Sequence, residues 1–115
     1  MFNIDIFGEL KIWREERGLQ DTVGNIEGNL AEELTELLRA TTTEDKVDAL
    51  CDMIVFSVNA IEAMGYDAEI AMSEVCKEIH SRKGAFNPEL NKWQKHKTPE
   101  AMALWYSADF SKAKR

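Results

Sequence analysis

The sequence predicts an all-α protein, and three observations support that prediction. Both prolines, Pro88 and Pro99, lie in the last third of the 115-residue chain, so no helix-breaking proline interrupts the first 87 residues. Apolar residues recur there at the three- and four-residue spacings of helices. We find no segment in which apolar and polar residues alternate between turn signals, as they would in a strand. We expect a single domain: a compact four-helix-type bundle over about 3–84, with a basic C-terminal extension over 85–115.

The predicted helices span about residues 3–17, 26–40, 44–64 and 68–82, with a loop over 18–25 and a short fifth helix over 99–107. Gly18 and Gly65 are the expected ends of helices one and three, and helix four should end near Gly84. The threonines at 41–43 offer an N-cap to helix three. Thr98 followed by Pro99 is a typical start for the fifth helix.

Charge divides the chain into two parts. The net charge is −7, but residues 1–76 hold 17 acidic against 5 basic residues, whereas residues 77–115 hold 4 against 9. An acidic protein is a poor candidate for a nucleic-acid binder, because phosphate contacts need clustered cations. No apolar run is long enough for a membrane span. No secretory signal is evident at the N-terminus, and only two cysteines are present, so we expect a reduced cytoplasmic setting.

Helix three carries the first candidate site residues. Ten of the thirteen residues from Ala49 to Ile61 are apolar, which predicts a largely buried helix. Asp48, Asp52 and Asn59 fall within about 40° of one another on this helix. A buried aspartate is costly unless it is paired or binds a metal.

Helix two supplies a possible set of partners, Glu32, Glu33 and Glu36, whose spacing puts three carboxylates on one edge of the helix. Carboxylates alone suit hard cations such as Mg²⁺, with Mn²⁺ as an alternative. The other interpretation is a solvated acidic face, with Asp52 paired to Arg14, Arg17 or Lys46.

With these residues in place, two segments resemble a known family. NLAEELTELLRA and DALCDMIVFSVNAIEAMGYD are similar to the all-α nucleoside triphosphate pyrophosphohydrolases, the MazG-like superfamily. The resemblance covers roughly residues 7–84, and the tail resembles that of small phage-encoded members. The family signature is EExxE on one helix and ExxD on the next. Here Glu32, Glu33 and Glu36 match EExxE and Asp52 matches the final Asp, while Ala49 stands at the ExxD glutamate and Asp48 is its expected substitute.

The resemblance implies Mg²⁺-dependent hydrolysis of a (deoxy)nucleoside triphosphate between the α and β phosphates, with Glu32 or Glu36 as general base. It also implies a homodimer or a dimer of dimers, and the host cytoplasm as location for a phage-encoded member. Helix four of the family often carries Asn-x-x-Lys, which corresponds here to His80 and Lys83. The expected substrate contacts are Trp13, Asn59, Lys77, His80, Arg82 and Lys83.

Two alternatives remain at this point. Trp13 is either a core residue or a platform for the base. The departure at Ala49 also fits a non-catalytic acidic binding or inhibitor protein on the same fold.

Overall fold

The computed structural model describes residues 4–19 and 26–115, and this part of the chain is mostly helical. The elements in chain order are α1 (Ile6–Arg17), α2 (Ile26–Arg39), α3 (Thr43–Ala63), α4 (Ala68–Ser81), β1 (Gly84–Asn87), β2 (Lys92–Lys95), α5 (Pro99–Ala103) and a 3₁₀ turn (Phe110–Ala113). None of the described helices is long and apolar enough to cross a membrane. The all-α prediction is confirmed in its coarse form. Predictions for Asn3 and for the loop at 20–25 lie outside the described residues.

The helix ends follow from local chemistry, as the sequence indicates. Asp5 caps α1 by accepting from the Gly8 N–H at 3.1 Å, and Gly18 ends it in the left-handed region at φ 64°. Thr42 caps α3 by accepting from the Asp45 N–H, also at 3.1 Å. Gly65, at φ 90°, follows the end of α3. These four positions confirm the predicted boundaries to within a few residues.

The chain forms two compact units, residues 1–68 with Arg115 and residues 69–114. We call them the first unit and the second unit. The prediction of one domain placed its internal boundary at residue 84, whereas the compact units divide within the first turn of α4.

In the first unit, α2 packs along α3, and α1 also contacts α3. Arg14 of α1 is buried, at 5% exposure. Its guanidinium donates to the Asn59 Oδ1 atom at 2.7 Å and lies 3.5 Å from the Glu62 Oε1 atom. Glu62 in turn accepts from the Ala68 N–H at 2.5 Å and from the Arg115 guanidinium at 3.1 Å. A buried ionic network therefore ties α1 to the C-terminal half of α3.

The expectation that α3 is buried nearly all round is wrong for the single chain. Ala49, Val58 and Ala60 are buried, but Val47, Leu50 and Ile54 are about half exposed. The apolar helix has more hydrophobic surface than α1 and α2 cover. Met53 and Phe56 are half-buried.

The second unit contains a β-hairpin that the sequence analysis missed. β1 and β2 pair antiparallel, with Gly84 opposite Lys95 and Phe86 opposite Trp93. In the turn, the Asn87 Oδ1 atom accepts from the backbone N–H groups of Glu89 and Leu90. The predicted role of Gly84 as a helix stop is wrong, because α4 ends at Ser81 and Gly84 begins β1. Each strand has only four residues, which is too short for an alternation to stand out.

Glu74 of α4 is the centre of the second unit and is only 1% exposed. The Lys77 ammonium donates to its Oε2 atom at 2.8 Å. Its Oε1 atom accepts from the Tyr106 hydroxyl and, at 3.0 Å, from the Asp109 N–H. These bonds lower the pKa of Glu74 to about 2, against the opposing effect of burial. The Glu74 network therefore fastens residues 106–112 to α4.

Candidate functional site

Four of the five predicted metal ligands influence one another across α2 and α3. Glu33 and Glu36 lie on α2, and Asp48 and Asp52 lie on α3. Burial raises the pKa of Glu33, and the neighbouring carboxylates of Glu36, Asp52 and Asp48 raise it further. Asp48 and Asp52 of α3 are therefore close enough to Glu33 of α2 for their charges to raise its pKa. We call these four residues the carboxylate cluster.

Glu33 is the residue whose position needs explanation. Its Oε2 atom is buried and has no hydrogen-bond partner in the described part of the chain. An unpartnered buried carboxylate oxygen among three like charges is unfavourable, because neither a donor nor a cation offsets its desolvation. A bound cation would remove both penalties, so the donor set fits a hard divalent ion.

The cluster is not a finished ligand set. Within residues 4–19 and 26–115, no three histidine, cysteine or acidic side chains are already arranged to hold a metal ion. Glu36 and Asp48 are exposed, whereas Glu33 and Asp52 are half-buried. Exposed carboxylates can change rotamer at little cost, so Glu33 and Asp52 are the fixed part of the candidate centre.

Glu32 stands apart from the other predicted ligands. It is exposed on α2, and its charge is not among those that raise the pKa of Glu33. Of the two predicted general bases, Glu36 is thus the one that contributes to the raised pKa of Glu33.

The alternative pairing of Asp52 with a nearby cation finds no support. Arg14 is bound to Asn59 and Glu62. Arg17 lies 3.7 Å from Glu16 and stacks on Trp13. None of the described salt bridges includes Asp52 or Lys46. Asp52 therefore contributes an uncompensated charge to the carboxylate cluster.

Two predicted substrate contacts of the first unit have different surroundings. Trp13 is 38% exposed, with the Arg17 guanidinium 4.9 Å from its ring centre. The core interpretation of Trp13 is therefore wrong, and a face-stacking role stays a prediction. Asn59 is half-buried and its amide oxygen accepts from Arg14, so this atom already has a structural partner.

The other four predicted substrate contacts lie in the second unit and divide into two pairs. Lys77 is bound to Glu74, and Arg82 donates to the Tyr106 carbonyl at 2.5 Å while stacking on Trp105. His80 and Lys83 are exposed, and the structure shows no side-chain hydrogen bond from either of them to another described residue. Both line a cavity of ≈ 680 Å³ and a second of ≈ 560 Å³. Lys83 and His80 are therefore the members of this set that remain free to meet a ligand.

Sequence reasoning missed Glu74, Tyr106, Trp93 and Lys95. Glu74 and Tyr106 are 32 residues apart, and no local pattern connects them. The i, i+3 pair of Glu74 with Lys77 was visible in the sequence, but such pairs are common on exposed helices. Trp93 and Lys95 share a strand face, which only the hairpin register reveals.

Compared with protein-family models, curated proteins and solved structures, the chain gives no match. The family resemblance therefore rests on the motif residues themselves and on the carboxylate cluster they form.

Proposed function

We propose that this protein is a divalent-metal-dependent nucleoside triphosphate pyrophosphohydrolase that releases a nucleoside monophosphate and pyrophosphate. The single observation that carries the proposal is the unpartnered, buried Glu33 Oε2 atom inside the carboxylate cluster. A purely structural helix pair has no reason to keep such an atom, because an apolar or amide side chain there would be more favourable.

The chain's own residues have distinct roles in this proposal. Glu33 and Asp52, the less exposed pair, would hold a Mg²⁺ ion, with Glu36 and Asp48 completing the set and Glu32 at its edge. When bound, the ion supplies positive charge toward the anionic phosphates and acidifies water. Glu36, one helical turn after Glu33 on α2, would accept a proton from the attacking water as general base.

The homodimer is part of the proposal as well. Leu50 and Ile54 of α3 and Leu34 and Leu38 of α2 are exposed in the single chain. Exposed apolar side chains of this number on one helix pair are typical of an oligomer interface. A second copy packed over this surface would bury these side chains.

The competing proposal is a non-catalytic acidic binding protein, which the departure at Ala49 favours. Ala49 is buried at 3% exposure, so no glutamate can replace it without disturbing the α2–α3 packing. A binding protein would hold a basic partner on the carboxylate cluster and would turn over no nucleotide.

The decisive experiment is a screen of the common ribo- and deoxyribonucleoside triphosphates with Mg²⁺ and with Mn²⁺. Pyrophosphate and orthophosphate are measured separately. We expect metal-dependent pyrophosphate release from at least one substrate. Orthophosphate without pyrophosphate would overturn the proposed bond of cleavage.

A matched pair of α3 variants tests the site. Asp52→Asn should lower turnover by about 100-fold or more, since a metal ligand matters at least as much as the groups that orient it. Asp45→Asn makes the same charge change on an exposed residue in the first turn of α3, outside the cluster, and should leave turnover unchanged. Equal rates for the two variants would contradict the assignment of the carboxylate cluster.

A further inference from the structure

The hairpin of the second unit and the end of α4 line a cavity that includes the predicted substrate contacts His80, Arg82 and Lys83. The cavity measures ≈ 680 Å³, within the usual range for sites that bind small molecules. Its lining comes from the end of α4 and the two strands, and every lining residue lies between positions 78 and 95. None of the carboxylate cluster belongs to it.

Strand register determines which hairpin side chains reach this cavity. Gly84, Phe86, Trp93 and Lys95 share one face, because Gly84 is opposite Lys95 and Phe86 is opposite Trp93. Of these, Gly84, Trp93 and Lys95 line the cavity. Lys92 projects from the other face and is not part of the lining.

Trp93 is a fixed aromatic wall of the cavity. A Cβ atom added at Gly84 would lie 2.6 Å from the Trp93 Cζ2 atom, which shows that the indole lies directly over the glycine. Half of the Trp93 side chain nevertheless remains exposed, at 50%. An exposed but well-positioned indole is suited to stacking with a planar ring.

The remaining lining has an excess of positive charge. Glu78 is the one carboxylate in it, and that group already accepts from the Ala108 N–H at 3.2 Å and lies 3.8 Å from the Arg82 guanidinium. The ammonium groups of Lys83 and Lys95 are left, with His80 beside them. Lys95 has a further contact with the Trp105 ring, at 5.5 Å, which restrains its position near the cavity without neutralising its charge.

An aromatic wall beside two ammonium groups recognises a ligand that joins a planar ring to a phosphate. We propose that the hairpin cavity binds a nucleoside phosphate without any metal ion, with the base on Trp93 and the phosphates on Lys83 and Lys95. This inference rests on the proposed function for the identification of the ligand as a nucleotide. The recognition chemistry follows from the lining alone.

The test is a titration of the ¹⁵N-labelled full chain in EDTA, so that no metal-dependent hydrolysis occurs. ADP, adenosine and inorganic pyrophosphate are compared by calorimetry and by the three indole N–H resonances. We expect ADP to bind more tightly than either fragment and to shift the Trp93 resonance, which Trp93→Phe identifies. No saturable ADP binding, or pyrophosphate binding as tight as that of ADP, would overturn the inference.

Matched variants separate the cavity from general charge attraction. Lys95→Ala should weaken ADP binding by about tenfold, as expected for loss of a charged hydrogen bond, and Lys95→Arg should restore it. Lys92→Ala makes the same charge change on the opposite strand face and should have little effect. Equal losses for Lys92→Ala and Lys95→Ala would show attraction by net charge alone and would contradict a built site.

The stacking role has its own variants. Trp93→Ala should weaken ADP binding by about tenfold and leave pyrophosphate binding unchanged, whereas Trp93→Phe keeps a ring and should retain most of the affinity. Asp52→Asn should bind ADP in EDTA as the wild type does. ADP binding without any catalytic turnover would leave this inference standing and overturn the proposed function instead.

Discussion

Glu33 in the first unit and Glu74 in the second show two opposite responses of a glutamate to burial. Glu74 receives donors from Lys77, Tyr106 and the Asp109 N–H, which lower its pKa to about 2. Glu33 faces three other carboxylates, and its pKa is raised. A buried acid with donors stabilises its own fold, whereas a buried acid among acids costs stability until a cation arrives. The donors around Glu74 give it a structural role, whereas the surroundings of Glu33 are the basis for proposing it as a metal ligand.

The largest expected difference between the two glutamates is in turnover. Glu33→Gln should reduce Mg²⁺-dependent pyrophosphate release by about 100-fold or more, because it removes a charged ligand from the cluster. Glu74→Gln should retain most of the turnover when assayed well below its unfolding temperature. Full turnover in the Glu33→Gln protein would contradict the proposal that Glu33 is a metal ligand.

The second difference is in thermal stability without metal. Glu33→Gln should raise the unfolding temperature of the metal-free protein, because it removes a charge from among like charges. Glu74→Gln should lower it, because Lys77 and Lys112 lose their buried partner. Calorimetry in EDTA measures both variants. Adding Mg²⁺ should then raise the unfolding temperature of the wild type but not that of Glu33→Gln.

The third difference is in the dependence of stability on pH. The pKa of Glu74 is lower in the folded state than in the unfolded chain, so its stabilisation is fully present above pH 4.5 and is lost as pH falls toward 2. The pKa of Glu33 is raised above its ordinary value of 4.5. The metal-free fold therefore loses stability as pH rises from 4.5 through the raised pKa. The free energies of unfolding of the wild type and of Glu74→Gln, measured in urea, should therefore converge as the solution is acidified from pH 4.5. A difference in the free energy of unfolding that stays constant down to pH 2 would contradict the stabilising role of Glu74.

The smallest expected effect comes from one donor of the Glu74 network. Tyr106→Phe removes a hydroxyl that donates to Glu74 and accepts from Lys112 at 3.1 Å. Loss of such a bond should lower the unfolding temperature by about 4 °C, and by less than Glu74→Gln does. Ser107→Ala, next in the chain and exposed, serves as the control and should leave the unfolding temperature unchanged. An unchanged midpoint for Tyr106→Phe would mean that the hydroxyl contributes nothing to the network.

The features that the sequence predicted are the local ones. Gly18, Gly65 and Thr42 act within one turn of a helix, so their roles follow from neighbouring residues. The two helical spacings put acidic residues on α2 and α3, and because these helices pack together, the charge of Asp52 raises the pKa of Glu33.

The features that the sequence did not predict depend on distant partners. Arg14 was considered as a partner for Asp52. Its guanidinium instead contacts Asn59 and Glu62, which lie one helical turn apart on α3. The burial of α3 was overestimated because composition counts apolar residues without showing which neighbours cover them. The hairpin was not predicted because its strands are stabilised by pairing with each other. Phe86 and Trp93 become neighbours only in the register of that pairing.

Gly84 restricts which sequences can form the hairpin. A Cβ atom there would lie 2.1 Å from the Gln94 carbonyl oxygen, a separation that no side chain can relieve because the obstacle is backbone. A sequence that forms this hairpin is therefore expected to have glycine at this position. A mutational library at position 84 should return glycine alone among variants that retain the cavity.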